Sequence, residues 1–309
     1  MAYGQLTWAN QKSRVIPWGP AGLNLISESI GMAALGQPEV KANEYKKQQW
    51  SSGSSGDTVG TDLTFSATAG SIDVSKTLHM GLKGELLKVD KKAVDAGAPI
   101  TEQLAEQLNF ANEGFNNQFM TDLVGTNEGI NGKVQGMGYV LTQDAATQAG
   151  QTFEGSGSAY AGTAILKVLN KLSTKVQGTR KVFYVSTNTA PAIYDAIVAA
   201  GYGPTITLLD KNFNGSEVLS FNGIPIIPTD KITDGSSYGN TISDIFCLGI
   251  GGRQGAHLWV PTAEMVDVDG PITAEGKAYY AFNGYLHAQV HYGSPRCVAK
   301  ANDVITVDA

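Results

Sequence analysis

Charge is scarce in this sequence: 16% of its 309 residues are Asp, Glu, Lys or Arg, against roughly 25% in a typical soluble domain. Charged side chains are depleted at interface centres, so the shortage suits a chain that hides surface against partners. It suits a glycine-rich β protein as well, and there are 37 Gly. The net charge of −6 argues against a dedicated, tight nucleic-acid surface, which needs basic patches to displace counterions. There are two cysteines, Cys247 and Cys297, both in apolar, strand-like runs. They read as buried reduced thiols of a protein that folds in a cytoplasm, not as a disulfide. No apolar run approaches the ~20 residues of a membrane span. The opening MAYGQLTWANQKSR has no basic region followed by an apolar stretch, so it does not read as a signal peptide.

Sequence signatures of catalysis are missing too. GIGGRQG (249–255) has Gln254 where a dinucleotide loop needs its third glycine, and a strand follows, so it reads as a turn. A calcium loop started at MVDVDG (265–270) would have Met265 first and Gly276 twelfth, without both essential carboxylates. His287 and His291 lack the glutamate of a zinc-protease helix and lie in a strand, where positions four apart share a face; a surface or packing role fits them better. No nucleophile elbow, phosphate loop or cysteine cluster occurs. The expectation is no catalytic residue, no metal ligand and no cofactor.

What is present is architecture. Apolar residues make up 42% of the chain, enough for a substantial core, and the length allows one large domain or two ordinary ones. Residues 1–40 carry Trp8, Trp18, Pro17 and Pro20 without helical or strand periodicity. SSGSSG (51–56) reads as a loop tip, with EYKKQQW (44–50) and TVGTDLTFSAT (58–68) as two arms of a long hairpin. A further extended stretch runs from Ile72 to about Val89.

Leu104, Leu108, Ala111, Phe115, Phe119 and Leu123 form one apolar stripe and predict a helix over 101–124. Thr101 is placed as its N-cap and Gly125 as its stop. At about 1.5 Å per residue it is roughly 36 Å long, a spine along one side of a domain. A second helix is expected near 159–173, with Ala161, Ile165, Val168, Leu169 and Leu172 inward and Lys167, Lys171 and Lys175 on another face. A third is expected over 190–200, started by Thr189 and Pro191 and ended by Gly201. Beyond it the chain reads as short strands: 205–209, 224–228, 243–250, 256–260, 278–282 and 286–292. The class is α+β.

That order of elements resembles the Hong Kong 97-type major capsid proteins of tailed bacteriophages. The residues that carry the resemblance are ITEQLAEQLNFANEGFNNQFMTDLVG (100–125) with GTNEGINGKVQGM after it, TAILKVLNKLS (163–173), KVFYVSTNTAPAIYDAIVAAGY (181–202), FNGIPIIPTD (221–230) and YLHAQVHYGSPRCVAKANDVI (285–305). The resemblance implies an N-terminal arm over 1–40 and an extended E-loop over about 41–72, within a segment 41–97 that includes flanking P-domain strands. It implies a peripheral (P) domain over 98–178 with the spine helix 101–124, an axial (A) domain over 179–285, and return strands over 286–309.

The function it implies is a head protein that assembles into an icosahedral shell of hexamers and pentamers around double-stranded DNA. The chain would fold and assemble in the bacterial host cytoplasm and reside in the virion, with no membrane partner. No helical scaffolding segment precedes the arm, so the resemblance implies a separate scaffolding protein or none. A portal and a decoration protein are further implied partners. Trp8, Trp18, Tyr45 and Trp50 sit in segments without a core of their own and are expected to anchor into neighbouring subunits, where aromatics are enriched. Lys46 and Lys47 share that region, in which some family members form lysine–asparagine cross-links. Lys167, Lys171 and Lys175 read mainly as a solvated face, with a weak, non-specific contact to packaged DNA as the functional reading. The alternatives are an encapsulin-like nanocompartment shell, another virion structural protein, or an α/β enzyme with a divergent site.

Overall fold

The computed structural model describes residues 34–35, 39–40, 44–52, 71–79, 81–92, 100–142, 150–154, 162–201, 205–208, 217–237, 240–260, 266–272 and 279–306. Trp8 and Trp18, most of the segment 1–40, and the hairpin arm expected over 58–68 lie outside these residues.

Strand β1 is Glu39–Val40 and β2 is Glu44–Ser52. The latter pairs antiparallel with β3 (Ser71–His79), from Glu44 opposite His79 to Ser52 opposite Ser71. Strand β3 falls at the start of the extended stretch expected from Ile72, and the arm expected over 58–68 lies outside the described residues. Among the described residues β2 and β3 form a sheet of their own. The chain then enters β4 (Gly81–Asp90), which belongs to the main sheet.

The spine helix α1 runs Ile100–Val124, so Thr101 lies inside its first turn and not at the cap. Alanine, leucine, glutamate and glutamine dominate its first turns, residues that lose little entropy in a helix. Ala111, Phe115, Phe119 and Leu123 are all buried at spacings of four, and the helix packs on β4. The short helix α2 (Met137–Thr142) and strand β5 (Thr152–Glu154) follow. Helix α3 (Ile165–Lys175) begins after a 3-10 turn, later than the sequence suggested; Ile165, Val168, Leu169 and Leu172 of the expected stripe are buried, and Ala161 lies outside the described residues.

Strand β6 (Arg180–Ser186) leads into α4 (Thr189–Ala199). The Ser186 hydroxyl accepts the Thr189 N–H at 3.2 Å, satisfying a donor of the helix's first turn. Then come β7 (Thr205–Leu208), β8 (Glu217–Phe221) and β9 (Ile224–Thr229). Asn222 and Gly223 both take positive φ between β8 and β9, the conformation that a two-residue hairpin turn demands.

The remaining strands are β10 (Gly235–Ser237), β11 (Asn240–Ile250), β12 (Ala256–Val260), β13 (Val266–Ile272), β14 (Tyr279–Tyr292) and β15 (Val298–Thr306). One sequence expectation changes here. The runs 278–282 and 286–292 are one strand of 14 residues, with Asn283 and Gly284 inside it as ladder positions opposite β4. The stretch tested as a calcium loop is largely strand β13, paired to β14.

Among the described residues, thirteen strands make one mixed sheet whose main path is β13-β14-β12-β11-β6-β9-β8-β7. Its centre is buried on both faces. Val182 and Tyr184 of β6, Ile227 of β9, and Phe246, Leu248 and Ile250 of β11 join the core under α1 and α2. Their neighbours Phe183, Val185, Ile226, Ile245 and Cys247 join a second core under α3 and α4. Strict alternation along apolar strands thus divides the side chains between two layers of helix. Both cysteines are free and buried, one in each core.

Candidate functional site

Loop 125–136 begins where α1 stops. Asp122, buried in the last turn, accepts the Val134 N–H on one carboxylate oxygen at 3.1 Å and the Asn127 amide on the other at 3.2 Å. Gly136 N–H reaches Asn127 O, and Gly138 N–H reaches Gly125 O, so the loop folds back against the helix end. Gln289 of β14, fully buried, accepts the Gln135 N–H at 2.6 Å and donates to Lys133 O at 3.3 Å. The Tyr292 hydroxyl donates to Gln135 O at 3.0 Å. Burial pushes its phenol well above the ordinary range, with Cys297 and Tyr184 adding to the effect. This polar lock fixes the spine helix to the sheet. Sequence reading passed over it, although Gln289 was a visible signal: an amide in a strand whose neighbours are apolar needs buried partners.

A second junction ties the N-terminal segment to the sheet. Ala34 and Leu35 are buried in the core under α1. Glu39 and Val40 pair in parallel with Trp259 and Val260. The Glu39 carboxylate meets His257 Nδ1 at 2.7 Å, while His257 Nε2 meets Gly252 O at 2.6 Å. The part of the expected arm that is described therefore packs on its own chain. Beside it, GIGGRQG is the turn expected from its sequence, joining β11 to β12. With Gly178 and Thr179 it lines an open polar depression of about 390 Å³.

The expected contact residues are spread out. Tyr45, Lys46, Lys47 and Trp50 lie on β2, opposite Leu78, Thr77, Lys76 and Ile72 of β3. Lys167, Lys171 and Lys175 are exposed on α3, opposite its buried stripe, and Lys171 Nζ stands 4.1 Å from the centre of the Phe153 ring. Exposed apolar side chains include Phe110 on α1 and Tyr194 and Val198, one turn apart on α4. His291 is buried and stacked on Trp259 at 4.1 Å, a packing role, and His287 sits tilted beside Tyr285. Among the described residues no group of three His, Cys, Asp or Glu could hold a metal. No described helix is long and apolar enough to cross a membrane.

No family model and no curated protein matches the sequence. Solved structures do match it in fold. The encapsulin of a holo-SrpI encapsulin complex from Synechococcus elongatus superposes with a TM-score of 0.64 at 18% identity, over 88% of this chain and 85% of that one. The capsid of a native GTA particle gives 0.59 at 14%, over 88% and 90%. The capsid of cyanophage A-1(L) gives 0.59 at 12%, over 90% and 93%.

Proposed function

From the Hong Kong 97-type fold of this chain, we propose that it is a shell-forming subunit: the major capsid protein of a tailed bacteriophage, assembling as hexamers and pentamers into an icosahedral head around double-stranded DNA. One observation carries the reading. The likeness to shell subunits spans 88–90% of the chain and 85–93% of theirs, so it is not confined to one part of either chain.

The physical logic runs from area to assembly. A closed shell requires one surface to meet several near-equivalent neighbours. Each stable contact buries about 1,600 Å². We assign such contact area to the ribbon β2–β3, which among the described residues forms a sheet of its own. Within this reading we assign 1–40 to the arm, 41–97 to the E-loop with flanking P-domain strands, 98–178 to the P domain, 179–285 to the A domain and 286–309 to the return strands. The border at 285/286 falls inside β14, one unbroken strand through both parts. Trp8, Trp18, Tyr45, Lys46, Lys47 and Trp50 are assigned to contacts with neighbours, and the lysine row of α3 to a weak interior contact with DNA. A scaffolding protein, a decoration protein and a portal are partners of the same proposal, and the virion is the location.

The second reading, an encapsulin-like compartment, is favoured by the fit to an encapsulin at a TM-score of 0.64. Sedimentation and electron microscopy of the recombinant chain, with analysis of nuclease-treated particle contents, test both. Closed shells of many subunits are expected. DNA retained in particles from infected cells supports the head, and an enclosed enzyme supports the compartment. A small uniform oligomer that stays small when scaffold is added rejects both.

A further inference from the structure

We propose that Glu39, His257 and the Gly252 carbonyl form a proton-dependent clasp that holds the N-terminal segment on the edge of β12. A backbone carbonyl only accepts, and an ionised carboxylate only accepts. His257 meets one of each, at 2.6 Å through Nε2 and at 2.7 Å through Nδ1. Both contacts are hydrogen bonds only if a proton lies between Nδ1 and Oε1 and a second lies on Nε2. Glutamate and imidazole together therefore hold one proton more than a carboxylate beside a neutral ring.

When that proton leaves, the ring keeps a single N–H. If it stays on Nε2, the lone pair of Nδ1 faces the carboxylate; if it moves to Nδ1, the lone pair of Nε2 faces the carbonyl. One of the two contacts becomes repulsive.

The place of the contact makes it consequential. Among the described residues β1 is a two-residue strand with one parallel neighbour, β12. The charged or titratable groups among the described residues on elements beside β12 are Glu39 on β1, Arg253 in the turn, Asp244 and Cys247 on β11, and on β14 Tyr279, Tyr280, Tyr285, His287, Tyr292 and His291, the cross-strand partner of His257. The His291 ring is occupied in the stack on Trp259. The clasp is independent of the shell proposal, because every group in it belongs to one chain.

Hydrogen exchange of the full chain tests it. The readout is the protection factor of peptides covering Ala34–Val40, with the intrinsic rate divided out. Protection is expected to fall about tenfold or more from about pH 5.5 to 8.5, the scale of one lost charge-assisted bond. In Glu39→Gln the amide can donate to a neutral Nδ1 while Nε2–H still serves Gly252, so protection should stay flat with pH. In His257→Gln it should also be flat. A flat wild-type profile overturns the clasp, as does a fall that persists in Glu39→Gln. A fall that persists in His257→Gln overturns it as well and assigns the effect to another group, with His291 the first candidate.

Discussion

At the scale of single residues, protons and buried amides set the behaviour. Burial pushes the phenols of Tyr184 and Tyr292 and the thiol of Cys247 above their ordinary values. The folded chain keeps these protons where the unfolded chain has lost them. Their contribution is complete below the ordinary values of 9.0 and 10.0 and declines as pH rises through them. Once all three ionise only on unfolding, the decline reaches about 4 kcal/mol per pH unit. Urea midpoints taken at intervals above pH 8 should trace it, and an unchanged midpoint at pH 10.5 would contradict the burial of these groups. Gln289 makes the complementary case. Gln289→Met keeps the volume but strands the Gln135 N–H, and should cost about 1–3 kcal/mol, read as a lower thermal midpoint.

At the scale of elements, the ribbon β2–β3 differs from every other strand pair. A two-stranded sheet is marginal in water unless something packs on it. In the unassembled chain the amides of β2 and β3 should exchange at least about 100-fold faster than those of β11, which lies between two cores. On assembly the ribbon should become protected, and exchange that ignores assembly would remove it from the contact surface.

Elements with their own periodicity were legible in the sequence. α1 and α3 show their stripes locally, and the described members Ala111, Phe115, Phe119, Leu123, Ile165, Val168, Leu169 and Leu172 are buried, while the side chains of Leu104, Leu108 and Ala161 lie outside the described residues. The ribbon's pairing was not legible, because strands 44–52 and 71–79 find each other across a long intervening stretch. β14 was hidden by Asn283-Gly284, a turn signal in isolation that a ten-residue ladder to β4 overrides. The anchoring of Ala34, Leu35 and Glu39 depends on distant strands, and nothing in the segment announces it.

At the scale of the whole molecule, the proposal separates folding from assembly. Among the described residues one core begins at Ala34 and the other at Ile165. With 1–40 assigned to contacts between subunits, removal of 1–20 is expected to leave the subunit folded. Shell yield should drop by about tenfold or more in that deletion, and in the double substitution Trp8→Ala, Trp18→Ala, if each tryptophan anchors with the ~2 kcal/mol of a hot spot. Normal yield by sedimentation would count against contacts made by these residues. The double burial of the central sheet carries a further consequence for how the chain avoids misfolding. A strand with one wet face is kept in step by polarity, since a shift of one place exposes oil and buries charge. β6 and β11 are apolar on both sides, so polarity scarcely distinguishes the correct alignment from its neighbour. Volume must do so, with Tyr184 and Phe246 on one side and Cys247 and Ala299 on the other. A steric key does so too: a Cβ at Gly249 would stand 2.0 Å from the Gln177 oxygen. Slide β11 by one place and Leu248 or Ile250 arrives at that gap, where no side chain fits, so a single hydrogen atom acts as the detent that keeps two cores from exchanging their contents.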